Sequence, residues 1–146
     1  MPRMSEEEAF AFVAAAPRTA KLATARADGS PHVAPVWVAV DGSSILFTTG
    51  ADTVKGRALR RDPRAAMCVD DDRPPFAFAS FEGAVSISED LDEVRRWATV
   101  IAARYMGEDR AGEFGRRNGV PGEMVVRVRP RKVLTVFDMT SPDTHT

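Results

Sequence analysis

Residues 28–48, DGSPHVAPVWVAVDGSSILFT, decide the fold. Two Asp-Gly pairs, Asp28-Gly29 and Asp41-Gly42, bracket a β-branched and aromatic run over 33–40, and a second such run follows over 45–48. Asp-Gly between apolar runs is a strong hairpin signal, because both residues tolerate the positive φ of tight turns that match the twist of paired strands. With residues 20–25 as the strand before the first turn, the three runs predict an antiparallel meander. Pro35 stands inside the middle run. Proline has no N–H to give to a ladder, so this strand is expected at an edge or bulged near that point, with neighbouring backbone groups left free.

The pattern continues outward from there. Ser5 and Glu8 have capping-box spacing, and Phe10, Val13 and Ala14 then fall on one side of a short helix that Pro17 must stop. Thr53 is placed to cap a helix through Leu59 and Arg60, ended by Asp62-Pro63 before an apolar strand over 65–69. Residues 70–75 form a loop, and Phe76, Phe78 and Ser80 alternate with Ala77, Ala79 and Phe81 in a strand reaching Ile87 whose two faces should both be covered. Asp90 and Glu93 repeat the capping-box spacing ahead of a helical stripe, Leu91, Val94, Ala98, Ile101 and Tyr105. A charged surface helix is expected over 109–117, then a last strand over 124–137 with Pro130 interrupting it. About six strands with short helices between them suit a mainly β, α+β domain built as a small barrel.

The 146 residues fit one domain, 1–146, with 1–4 and 140–146 expected to be loose. Lys+Arg 20 against Asp+Glu 21 leaves a net charge of -1, so no global basic field exists to hold a nucleic-acid backbone and any anion site must be local. Glu6, Glu7 and Glu8 stand where a secretory signal would carry positive charge, and no segment approaches a membrane span, so a cytoplasmic protein is expected. The lone Cys68 cannot form an internal disulfide and reads as a buried thiol in its apolar run.

The chemistry is concentrated in residues 48–57, TTGADTVKGR, which run from a strand end into the first turn of a helix. The first N–H groups of a helix lack internal partners and the helix dipole is positive there, so such a junction holds phosphate. Thr53 adds a hydroxyl, and Lys55 and Arg57 add cations. Gly56 is unfavourable within a helix by about 1 kcal/mol relative to alanine, which points to close approach by a ligand or by another backbone. Arg60, Arg61 and Arg64 extend the positive character, although charges on an exposed helix are usually only solvated.

These segments together resemble the pyridoxamine-phosphate-oxidase-like split β-barrel family: residues 53–64, TVKGRALRRDPR, preceded by residues 28–37, DGSPHVAPVW. Residues 71–76, DDRPPF, and 81–84, FEGA, are similar to the branch that uses the deazaflavin coenzyme F420. The likeness runs in family order from Ala20 to Asp138. It implies a split β-barrel of antiparallel strands and a homodimer with a cofactor site at each end of the subunit interface. By position it implies that Thr53, Val54, Lys55, Gly56 and Arg57 grip the phosphate and Thr48 and Thr49 line the ribityl chain. Pro35, Val36 and Trp37 would lie along the ring system, with Phe76 contributed by the partner. Arg61, with its neighbours Arg60 and Arg64, would meet an oligoglutamate tail. The ending over 133–138, VLTVFD, lacks the Trp-containing, Arg-Leu-Pro terminus with which the true oxidases hold pyridoxal phosphate, which speaks against that activity.

An oxidoreductase passing a hydride from reduced deazaflavin to an unsaturated small molecule is therefore the leading expectation. An FMN-dependent oxidoreductase on the same barrel, or a flavin-binding protein without turnover, is the alternative. Hydride transfer needs no Ser/His/Asp, Cys/His or paired-carboxylate set, and no catalytic side chain is singled out. No metal site is expected: Asp70, Asp71 and Asp72 are consecutive acids in a Pro-rich loop, His32 is read in a turn, and His145 is in the tail. Trp97 is expected to pack beside its helical stripe, while Trp37 has a place either in the site or under a covering element.

Overall fold

The computed structural model describes residues 2–142; Met1 and residues 143–146, with His145 and the end of the tail, lie outside them. Seven strands form one antiparallel sheet in the order β2-β1-β5-β6-β7-β4-β3. They are β1 (Ala20–Ala25), β2 (Pro31–Val36), β3 (Ala39–Asp41), β4 (Ser44–Gly50), β5 (Arg64–Asp70), β6 (Phe78–Ser88) and β7 (Glu123–Val136). Four helices, α1 (Glu6–Ala15), α2 (Val54–Arg61), α3 (Leu91–Met106) and α4 (Glu108–Asn118), complete it.

β2 and β3 are the two outermost strands, yet only Trp37 and Val38 separate them in the chain. A sheet whose opposite edges are joined by two residues has to curl until those edges approach, and this is the split in the barrel. The expected single strand over 33–40 is thus two strands, seven replace six, and the meander stops at β2, since β4 pairs with β3 and β7. Alternation does not mark that corner, because Val36, Val38 and Ala39 are all buried and the run stays apolar through it. Pro35 does sit on an edge strand, paired in unbroken register with Lys21. The positive φ of Gly29 and Gly42 closes both hairpins.

The inside of the curl is filled by Leu22, Ile45, Phe47, Met67, Val69, Phe81, Val126 and Val128, plugged by Ala9, Phe10 and Val13 of α1. The Ser5/Glu8 capping box forms as read, but Ala9 rather than Ala14 completes the buried stripe. Arg104 of α3 fixes the far end of α1, donating to the carbonyls of Val13, Ala14 and Ala16. A second cluster, Ala39, Leu46, Val94, Trp97, Ile101 and Val125, lies outside the sheet under α3. α4 is more than a surface helix: it buries Ala111, Phe114 and Gly115, and a side chain at Gly115 would overlap Thr99 of α3.

β7 carries one extra residue at Arg131, with Glu82 opposite Lys132 and Gly83 opposite Pro130. A side chain on Gly83 would overlap the Arg129 carbonyl, so this bulge needs glycine and takes the place of the expected interruption at Pro130. At its end, β7 holds the N-terminal arm: Phe137 N–H donates to the Pro2 carbonyl, and Met4 exchanges hydrogen bonds with Thr135.

Among the described residues, no helix covers the outer face of β2-β1-β5-β6. Pro35, Lys21, Cys68, Ser80 and Leu134 follow one another across it in register, and Val33 is 67% exposed. The expectation that both faces of the 76–87 strand are covered is therefore not met within one chain. Phe76 lies ahead of β6 at φ 61, 40% exposed. Cys68 is half-buried on this open face rather than in the core, and partial burial together with Asp70 pushes its thiol up.

Candidate functional site

β4 leaves the sheet at Gly50 and turns into α2 through a loop locked by its own hydroxyls. Thr53 Oγ1 donates to the Gly50 carbonyl at 2.9 Å and accepts the Gly56 N–H at 3.0 Å, capping the helix. Thr49 Oγ1 lies 3.0 Å from Thr53 Oγ1. With the Thr53 proton committed to Gly50, Thr49 is the donor, so Thr49 braces the cap from a buried position and does not line the site. A side chain at Gly56 would overlap the Gly50 carbonyl, so another backbone is what approaches this glycine. The cap uses the third N–H of the helix and leaves those of Val54 and Lys55 without an intrahelical acceptor.

Beside this helix start is a cleft of about 260 Å³ that gathers Pro35, Val36 and Trp37 from the edge of the split, Thr48 from β4 and Lys55 from α2. Its other wall is Ala98, Ile101 and Ala102 of α3, with Asn118 at the end of α4. Those wall residues were hidden in the sequence, since an apolar stripe on a helix reads as core. Asn118 carried no signal at all.

Trp37 is held rigidly. Its ring stacks on Tyr105 at 5.0 Å and 3°, with Phe114 edge-on at 6.3 Å. Tyr105 Oη accepts the Val38 N–H at 3.0 Å and donates to the Arg18 carbonyl at 2.8 Å. Trp37 thus lines the cleft with part of its surface while it packs on Tyr105 and Phe114. Trp97 is buried in the cluster under α3.

The remaining residues divide. Val54 and Arg57 are exposed on the first turns of α2. Neither Lys55 nor Arg57 closes an ion pair among the described residues, whereas the arginines after them are engaged. Arg60 pairs with Glu89 at 3.1 Å, Arg61 donates to the Ala25 carbonyl at 2.9 Å, and Arg64 grips both oxygens of Asp62 at 2.8 Å. Of the basic strip read here, Arg60 and Arg64 are thus paired with carboxylates, while Arg61 is tied to a backbone carbonyl and keeps its charge. Phe76 is outside the cleft, in an apolar hollow of about 860 Å³ on the open face with Phe78, Met139 and Cys68. His32 lies within β2, not in a turn. Asp70 and Asp71 are taken by Lys21 at 2.8 Å and Arg18 at 3.4 Å.

One charged group near the site escaped the sequence reading. Glu123 opens β7 opposite Gly50, and burial pushes its carboxyl above the ordinary value while the Lys55 ammonium pulls it down. No helix among the described residues is long and apolar enough to cross a membrane.

The family described as pyridoxamine 5'-phosphate oxidase matches residues 5–137. Among solved structures, a conserved hypothetical protein from Mycobacterium tuberculosis is 30% identical with a TM-score of 0.80, covering 98% of this chain and 92% of that one. A protein described as an F420 reductase is 27% identical with a TM-score of 0.68, covering 92% of this chain and 98% of the other. A heme-binding protein from Mycobacterium smegmatis, 22% identical with a TM-score of 0.70, covers 97% of this chain and 57% of its own; it shares the fold. No curated protein matches the chain. The curled seven-stranded sheet, the strand-to-helix junction at its split and a family match over nearly the whole length agree: this chain belongs to the pyridoxamine 5'-phosphate oxidase family of split β-barrels.

Proposed function

We propose that the cleft binds the deazaflavin coenzyme F420 and that the protein is an oxidoreductase passing a hydride to an unsaturated small molecule. The observation that carries this reading is the convergence of Pro35, Val36, Trp37, Thr48 and Lys55, far apart in the chain, on one cleft beside a helix start with free N–H groups. The Val54 and Lys55 N–H groups and the Lys55 ammonium would hold the phosphate, with Arg57 adding charge. Thr48 would face the chain between phosphate and ring, and the edge strand at Pro35 to Trp37 would lie along the ring. The coenzyme supplies the hydride; the protein supplies position and an apolar wall of Ala98, Ile101 and Ala102.

The likeness to an F420 reductase at 27% identity supports the deazaflavin over FMN. The engagement of Arg60, Arg61 and Arg64 weakens one argument for it, and FMN remains the second reading because the phosphate grip would serve either.

The same reading includes a homodimer that completes the site with Phe76 of the partner subunit. Its support is the open face, where Val33, Phe76, Leu134 and Met139 are 67, 40, 38 and 43% exposed among the described residues. Parallel titration of the protein with deazaflavin and FMN, then a screen of unsaturated acceptors with the reduced coenzyme, tests the proposal. Tight FMN binding with no deazaflavin binding would overturn the coenzyme assignment.

A further inference from the structure

Of the residues that α3 and α4 contribute to the cleft, Ala98, Ile101, Ala102 and Asn118, only Asn118 is polar. It follows Ala111, Phe114 and Gly115 at helical spacing, so this half-buried amide continues the stripe by which α4 packs on the rest of the chain. A polar group on such a stripe calls for a partner. Among the described residues Asn118 has none, since no hydrogen bond reaches its side chain. Nor does the backbone require asparagine there. Asparagine serves helix ends by adopting a positive φ or by bonding a free main-chain group. Gly119 takes the cap position here, and Phe76 is the one non-glycine residue at positive φ among those described.

The place of the amide is nevertheless fixed. Arg95 Nε donates to the Gly119 carbonyl at 2.9 Å, Gly119 N–H donates to the Gly115 carbonyl at 2.8 Å, and a side chain at Gly119 would overlap Arg95. The packing of α4 on α3 thus holds two N–H donors and one oxygen acceptor at the cleft, all of them open. Two helix ends set the polarity of the cleft. α2 starts there with free N–H groups and Lys55, whereas α4 finishes there and brings the negative pole of its dipole. An anion is favoured at the first end and disfavoured at the second. Resting on the cofactor reading above, we infer that Asn118 is a specificity-determining residue that hydrogen-bonds a neutral hydroxyl on the chain between phosphate and ring. The amide N–H donates to a hydroxyl oxygen and the amide oxygen accepts a hydroxyl proton. The cleft then distinguishes a ring that carries a polyol from a bare ring of the same shape.

Three flavins separate the parts of such a ligand: FMN carries ring, hydroxyl chain and phosphate, riboflavin lacks the phosphate, and lumiflavin lacks the hydroxyl chain as well. Each is titrated with wild type, Asn118→Ala and the near-isosteric Asn118→Leu, with a melting curve of each ligand-free protein, and the FMN series is repeated with the deazaflavin coenzyme. A neutral hydrogen bond corresponds to about three- to tenfold in affinity, so both variants should bind FMN, riboflavin and the deazaflavin more weakly by about that factor. Lumiflavin should bind both variants within about twofold of wild type. The ligand-free variants should melt close to wild type, because the amide gives up no protein partner. A loss seen with FMN but not with riboflavin would put Asn118 on the phosphate and overturn the inference. An equal loss with lumiflavin, or wild-type affinity of both variants for FMN, would overturn it too, and each of these results leaves the cofactor reading standing. Wild type that binds neither FMN nor the deazaflavin would overturn the cofactor reading and the inference with it.

Discussion

Trp37 and Tyr105 lie ring on ring, 5.0 Å between centroids and 3° from parallel, and the same tyrosine hydroxyl accepts the Val38 N–H at 3.0 Å. One residue of α3 thereby holds both the side chain and the backbone of the two-residue corner that joins the edges of the sheet. The cleft lies at that corner, so its shape depends on a helix contributed about 70 residues later, as the separation of 67 between Val38 and Tyr105 records.

Removing only the Tyr105 hydroxyl should therefore be costly. Tyr105→Phe leaves the stack but strips the Val38 N–H and the Arg18 carbonyl of their partner, at about 1–3 kcal/mol. Chemical denaturation should show that loss with an unchanged slope. A midpoint equal to wild type would mean that water replaces the hydroxyl and that the corner is not held by Tyr105.

Gly56→Ala should destabilise the fold despite alanine's advantage in helices of about 1 kcal/mol, because its Cβ would meet the Gly50 carbonyl and force α2 off its cap. A net loss of about 1–3 kcal/mol is expected, with weaker cofactor binding as the Val54 and Lys55 N–H groups move. Thermal melts and a cofactor titration read the two effects. A gain in stability would contradict the close approach.

The pH dependence of the ligand-free fold follows from Glu123. Burial raises its carboxyl in the folded chain above its unfolded value, so the protein is free of that penalty below the unfolded value and loses stability as pH rises through the folded one. Glu123→Gln should melt above wild type at about pH 7, and the gap should close below about pH 4. Equal melting temperatures at both pH values would remove the burial penalty from the account.

The open face should bring two chains together. Light scattering at micromolar concentration should report twice the 15.9 kDa chain mass, and Val33→Asp, which sets a charge on the edge strand of the open face, should shift the protein toward monomer. A wild-type monomer would remove Phe76 of the partner subunit from the site.

Much of this architecture is legible locally. The Asp-Gly turns, the Ser5/Glu8 box and the Thr53 cap are decided by residues within a few positions of each other, and each forms as read. The break at Trp37 was not legible, because it is imposed by the pairing of β4 with the distant β7 and leaves no polar residue or glycine behind. The different settings of Thr48 and Thr49 were not legible for a similar reason: alternate residues of β4 face opposite ways, so Thr48 lines the cleft while Thr49 turns to the cap. The strip Arg60, Arg61 and Arg64 looked free because Glu89 and the Ala25 carbonyl, which engage two of its members, lie far along the chain. Glu123 was silent, since only the register between β4 and β7 brings it opposite Gly50, where the loop to α2 begins.

The claim on which the rest depends is that a phosphate-bearing cofactor sits at the start of α2. It is tested most directly by titrating wild type, Lys55→Ala and the control Arg117→Ala with deazaflavin and with FMN, with a melting curve for each protein. Lys55 lines the cleft and closes no ion pair among the described residues, whereas Arg117 stands over the Phe114 ring on α4. A charge-assisted contact to phosphate is worth about 1.5–3 kcal/mol, so Lys55→Ala should bind the cofactor roughly ten- to hundredfold more weakly than wild type. Arg117→Ala should bind within about threefold of wild type, and the melting temperature of Lys55→Ala should stay close to the wild-type value. Wild type and Lys55→Ala binding with equal affinity would place the phosphate elsewhere and contradict the assignment of the cleft.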